Sequence, residues 1–75
     1  MRQTRHLTAI IEREGDGFVT LCPELDVASQ GGTLTEAKEN LAEAVELFLE
    51  TADPSEIEGR LHSEVYVTSL EVAVG

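Results

Sequence analysis

Apolar and polar positions along the chain keep two rhythms in turn, a period of two at both ends and a period near 3.6 in the middle. Between Arg5 and Glu14, Leu7, Ala9 and Ile11 alternate with His6, Thr8, Ile10 and Glu12, which predicts a first β-strand. Glu14-Gly15-Asp16-Gly17 interrupts it, and two glycines around an aspartate suit the positive φ angles of a tight hairpin. Phe18-Val19-Thr20-Leu21-Cys22 is aromatic and β-branched and predicts a second, antiparallel strand, ended by Pro23, which has no amide to donate. Pro23-Glu24-Leu25-Asp26 predicts a bend or bulge, and Val27-Ala28-Ser29-Gln30 a short third strand closed by Gly31-Gly32.

The rhythm then changes. Thr33 stands three residues before Glu36, the spacing of a capping box that opens a helix. At about 100° per residue, Leu34, Ala37, Leu41, Ala44, Val45 and Phe48 form an apolar face wide enough to cover a sheet. Glu36, Glu39, Glu43, Glu46 and Glu50 gather on the opposite side as one acidic stripe. Like charges at this spacing cost a few tenths of a kcal/mol per pair, so the stripe calls for a compensating role or a fully solvated face. Leu47 lies beside the stripe, outside the apolar face, and is a candidate for contact with another subunit.

Pro54 ends the helix, and Ser55 to Ser63, with Gly59 inside, predicts a loop or one short turn. Alternation returns from Glu64 to Val74, with Tyr66, Thr68, Leu70, Val72 and Val74 opposite Val65, Val67, Ser69, Glu71 and Ala73, and predicts a final strand. The expected class is therefore α+β, in the order β-β-β-α-β, with the helix crossing over to a parallel fourth strand beside the first and packing on one face of a small mixed sheet. The other face stays bare. Large apolar side chains occur on both sides of the first and fourth strands, and Val72, Ala73 and Val74 fall on an edge strand, so a homodimer or higher oligomer is expected, with Leu47, Val72, Ala73 and Val74 as candidate contacts.

Size and charge narrow the function. Seventy-five residues suit a single domain, here 1–75, whose small core is usually reinforced by association when disulfides and metals are missing. Fifteen acidic against five basic residues give a net charge of −10, which repels phosphate backbones and attracts basic proteins. Direct nucleic-acid binding is not expected. Cys22 is the only cysteine, which fits a reducing compartment, and no signal-like or membrane-spanning run is present, so a cytoplasmic protein is expected.

Chemistry-bearing groups are sparse. Glu12, Glu14, Asp16, Glu24 and Asp26 sit at turns and strand ends, where acids are ordinarily placed for solvation, and a metal-dependent nuclease built from them would lose magnesium-dependent cleavage on changing Asp16 or Asp26. His6 and His62 each approach a strand and share no further supporting group. Cys22 before a proline reads as a half-buried strand end and not as an activated thiol. No phosphate loop, dinucleotide fingerprint or paired zinc motif occurs. The expectation is a protein without enzymatic activity, cofactor or metal.

The run Gly17-Phe18-Val19-Thr20-Leu21-Cys22-Pro23-Glu24-Leu25, followed by Ala28-Ser29-Gln30-Gly31 and the capped helix containing Glu36-Ala37-Lys38-Glu39-Asn40-Leu41 and Glu46-Leu47-Phe48-Leu49-Glu50, resembles the HicB family of antitoxins. That resemblance implies a partial RNase H-like fold, no nuclease activity, and neutralisation of a HicA-type toxin, a small basic ribonuclease that cleaves messenger RNA. Many members of the family carry a further C-terminal DNA-binding segment, which is not expected here. The residues expected to meet a basic toxin are Glu24, Asp26, Glu39, Glu43 and Glu46. The alternative is a solitary self-assembling structural or regulatory module without a toxin partner.

Overall fold

The computed structural model describes residues 6–61 and 64–75. Three strands, β1 (Ile10–Glu14), β2 (Gly17–Cys22) and β3 (Val27–Gly31), are followed by two helices, α1 (Leu34–Thr51) and α2 (Pro54–Arg60). The strands form one antiparallel sheet in the order β1-β2-β3. The α+β class and the β-β-β-α order thus agree with the alternation and periodicity of the sequence.

Turn chemistry sets the hairpins. Glu14 pairs with Gly17, which leaves Gly15-Asp16 as a two-residue loop. Gly15 has φ +59° while Asp16 and Gly17 stay at negative φ, so one glycine, at the first central position, supplies the primed geometry that matches strand twist. The second hairpin is longer. Cys22 pairs with Val27, the four residues Pro23–Asp26 form the turn, and Asp26 adopts φ +56°, a left-handed conformation that aspartate tolerates better than most side chains.

The capping box of α1 forms with a displacement. The Glu36 amide donates to Thr33 Oγ1 at 3.0 Å, while the Glu36 carboxylate accepts from the Gly32 amide at 2.9 Å, one residue before the cap itself. Two orphan donors at the helix start are satisfied in this way. Gly31 is obligatory here, because a Cβ would sit 2.8 Å from Ala37 Cα and against its amide nitrogen, and a clash with backbone cannot be relieved by a rotamer change. The Asn40 side-chain amide donates to the Gln30 carbonyl at 2.8 Å, so the start of α1 is laced to the outer edge of β3.

Under α1 lies a small core of Cys22, Leu25, Leu41 and Val45, with Leu7, Val27, Phe48, Leu49 and Leu61 packed around it; Ala37 is also fully buried. Leu34 departs from the expected face and is exposed, since it occupies the first helical position, beyond the end of β3. Thr20 is buried in the middle of β2, and its hydroxyl has no hydrogen-bond partner among the described residues.

Three local expectations are corrected. The first strand begins at Ile10 and not near Arg5: its ladder with β2 stops at the Ile10–Leu21 pair, one residue before β2 ends at Cys22, and Pro23 beyond has no amide to donate. The segment after Pro54 is a seven-residue helix and not a loop, since proline stops one helix yet suits the first turn of the next, where its missing amide is not needed; Gly59 falls in its last turn. The alternating segment 64–75 is not a strand: it takes no regular structure and pairs with no part of the sheet. Alternation encodes a preference for extended backbone but supplies no neighbour. The parallel crossover and the mixed sheet are consequently not formed, and the sheet is antiparallel throughout.

The segment projects as an arm. The Cα radius of gyration is 14.5 Å, with extents of 51 × 28 × 20 Å, against about 11 Å for a compact chain of this length.

Candidate functional site

The exposed surfaces of the fold are the outer face of α1, the bare face of the sheet, and the arm. On the outer face of α1, Glu39, Glu43 and Glu46 are exposed, as are Glu36 and Glu50. Glu39, Glu43 and Glu46 take part in no side-chain hydrogen bond among the described residues. Leu47 sits among them at 60% exposure, as its position beside the stripe predicts.

Glu24 is placed differently. Its carboxylate is buried at the β2–β3 turn, where it accepts the Thr8 amide at 3.0 and 2.9 Å, the Thr8 hydroxyl at 2.6 Å and the Cys22 thiol at 3.5 Å. Burial pushes its pKa up, and the hydrogen bonds from the Thr8 hydroxyl and amide outweigh that effect and hold the carboxyl below the ordinary glutamate range. Beyond the end of the ladder, one side chain therefore does for residues 6–9 what a sixth residue pair would do for a longer strand. Burial raises the Cys22 thiol; the Leu25 amide opposes this, and the Glu24 carboxylate adds to it, so the thiol stays protonated and inert at neutral pH. Asp26, two residues on, is exposed.

The predicted acidic residues thus fall into two settings. Glu39, Glu43 and Glu46 share one helix and one solvent face, whereas Glu24 is engaged inside the fold and only Asp26 of that turn presents a carboxylate to solvent. The sequence signal for the role of Glu24 was its place directly after Pro23, the residue that ends the ladder; that its carboxylate reaches back to Thr8 needs the register to be known.

The acids considered as metal ligands separate in the same way. Glu12, Glu14 and Asp16 lie at or near one end of β2 and Glu24 and Asp26 at the other, roughly 17 Å apart along an extended strand. Among the described residues no group of three or more His, Cys, Asp and Glu could hold a metal ion. His6 is exposed, and His62 lies outside the described residues.

Two apolar concavities flank β1. On the bare face of the sheet, Ile10, Val19, Leu21 and Ala28 line a shallow dish of about 490 Å³ with Glu12 and Gln30 at one end. On the helix side, a groove of about 260 Å³ runs between residues 7–9 and α1, lined by Leu7, Ala9, Cys22, Leu41, Ala42 and Val45, with Lys38 and Glu46 on its rim. Among the described residues, the arm carries the most exposed large apolar side chains, with Tyr66, Leu70 and Val74 at 82, 85 and 91% exposure and Val67 and Val72 also exposed. Val72, Ala73 and Val74 are therefore exposed as expected, on an unpaired arm and not on an edge strand.

Compared with known proteins, the chain is 48% identical over 46 residues to the UPF0150 protein ssl0738 of Synechocystis sp., an alignment covering 59% of this chain and 64% of the relative. It is 40% identical over 52 residues to the UPF0150 protein ssr1765 of the same organism, covering 67% of this chain and 66% of the relative. The chain is similar to UPF0150 proteins. It spans just under two thirds of the length of each of these two relatives. No protein-family model matches, and no solved structure matches. The names of the UPF0150 relatives state no activity, ligand or partner. Among the described residues, no helix is long and apolar enough to cross a membrane.

Proposed function

We propose that this chain is a cytoplasmic protein-binding module without enzymatic activity, which neutralises a HicA-type toxin by covering the toxin's basic RNA-binding surface. The observation that carries this reading is the outer face of α1, where Glu39, Glu43 and Glu46 stand exposed and make no side-chain hydrogen bond among the described residues, on a chain of net charge −10. UPF0150 is a HicB-like family, and similarity to two UPF0150 proteins supports the same direction.

The physical basis is competition for cations. A ribonuclease binds messenger RNA through lysines and arginines facing phosphates, and an acidic helix face offers the same cations a carboxylate in place of a phosphate. Complementary fields speed the encounter, and mutual screening makes affinity fall with salt. The self-repulsion among the helix glutamates, unfavourable in the free protein, is relieved when a cationic surface closes over them. Asp26 adds one exposed carboxylate at the turn, whereas Glu24 is assigned to holding the fold.

The charge-reversed variant Glu39→Lys, Glu43→Lys, Glu46→Lys, titrated against a purified HicA-type toxin at several salt concentrations, tests this reading. Affinity is expected to drop at least about tenfold, with a shallower salt dependence and lost protection of messenger RNA. Unchanged affinity and salt slope would exclude the helix face as the docking surface. The exposed arm favours a second reading, self-assembly without a toxin, which predicts no binding to any such toxin by the unaltered protein.

A further inference from the structure

We propose that the arm, residues 64–75, adds as a strand to the β1 edge of a second copy of this chain while the second copy's arm does the same in return, giving a symmetric dimer. The inference stands independently of any toxin. Three observations on the same molecule carry it.

The first is the acceptor. Of the two sheet edges, β3 is approached by the start of α1, with Asn40 on the Gln30 carbonyl and Gly31 against Ala37. The outer edge of β1 pairs with nothing among the described residues, and open edges accept strands. Between the 7–9 segment that leads into β1 and α1 lies the apolar groove lined by Leu7, Ala9, Leu41, Ala42 and Val45, a place for the inward side chains of an added strand.

The donor is the second. The arm alternates, and its two faces differ: Tyr66, Leu70, Val72 and Val74 share one side, while Ser69 and Glu71 share the other with Val65, Val67 and Ala73. Docked on β1, the first set suits the groove and the second suits the open sheet face, where Glu12 already meets solvent. Twelve extended residues reach about 40 Å, more than enough to run along β1 and the 6–9 segment.

Surface area is the third. The chain exposes 6240 Å², whereas a closed monomer of 8.1 kDa exposes about 4500 Å². The excess of roughly 1700 Å² per chain, buried on both copies, corresponds to an interface in the range of obligate dimers. An alternating extended segment and an open sheet edge occur in one molecule, and the segment does not pair with that edge. Reciprocal exchange between two copies satisfies both donor and acceptor with closed two-fold symmetry.

The experiment uses the full chain alone. Sedimentation equilibrium is expected to give twice the 8.1 kDa chain mass, and an isotope-filtered NOE spectrum of a one-to-one mixture of labelled and unlabelled chain is expected to show Leu70, Val72 and Val74 of one copy against Leu7 or Ile11 of the other. Replacing Val72 and Val74 together by Asp is expected to raise the dimer dissociation constant at least tenfold with unchanged helix content, since the arm lies outside the core. The inference is overturned by a monomer, by arm contacts found only within one chain, by a dimer that the double substitution leaves intact, or by an arm that orders only on a basic partner. The wild-type NOE measurement decides the matter even if the double variant does not fold.

Discussion

Phe18–Cys22 and Tyr66–Val74 are both alternating apolar segments rich in β-branched and aromatic residues, yet one is the central strand of the sheet and the other is an unpaired arm. The difference is in what lies beside them. Strand β2 has β1 on one side, β3 on the other and α1 above, brought there by two short turns and one capped helix. The arm follows α2, whose last turn is pinned to α1 by Arg60 stacked 5.1 Å over the Phe48 ring, and beyond that point the structure supplies no ladder. Intrinsic β-preference measures how well a side chain fits a half-buried pleated surface, so it is realised only where the surface exists.

The widest separation between the two regions is expected in core energetics. Leu25, 1% exposed in the β2–β3 turn, is expected to lose about 3 kcal/mol of stability on change to Ala, as a buried leucine does when its cavity cannot collapse. Leu70→Ala on the arm is expected to stay within about 0.5 kcal/mol when measured by urea unfolding under dilute, monomeric conditions. Equal losses would mean that the arm packs on its own chain.

A smaller effect tests how residues 6–9 are held without a ladder. Glu24→Gln is expected to cost about 1 to 2 kcal/mol at neutral pH, because a charged acceptor of three Thr8 bonds becomes a neutral one. The folded-state pKa of Glu24 is depressed, so its stabilisation is complete above the ordinary carboxylate range and is lost as pH falls through that range toward the lowered folded value. Unfolding midpoints of the wild type and the Gln variant should therefore converge in acid. A constant difference across pH would show that the carboxylate is not the tie.

The smallest effect concerns β2 itself and has the opposite sign. Thr20 is buried with a hydroxyl that has no partner among the described residues, and Thr20→Val keeps the β-branched shape while removing that group. A gain of up to about 1 kcal/mol is expected in thermal or urea unfolding. A loss would reveal that the hydroxyl is bonded in solution.

Elements whose causes are local could be read from the chain alone. Gly15 and Pro23 set the limits of β2, Thr33 and Glu36 start α1, and the spacing of Ala37, Leu41 and Val45 selects the buried side of the helix, because hairpins, caps and helix faces depend on residues within a few positions of one another. The exposed glutamates of α1 were legible for the same reason. The remaining features arise from packing between distant parts of the chain. That Glu24 reaches Thr8 follows from the strand register, that Gly31 must lack a Cβ follows from the close approach of Ala37, and that the last alternating segment remains unpaired follows from the absence of a neighbour. Those outcomes depend on contacts between residues distant in the chain, and periodicity, which reports only what one segment prefers, carries no record of what it will meet.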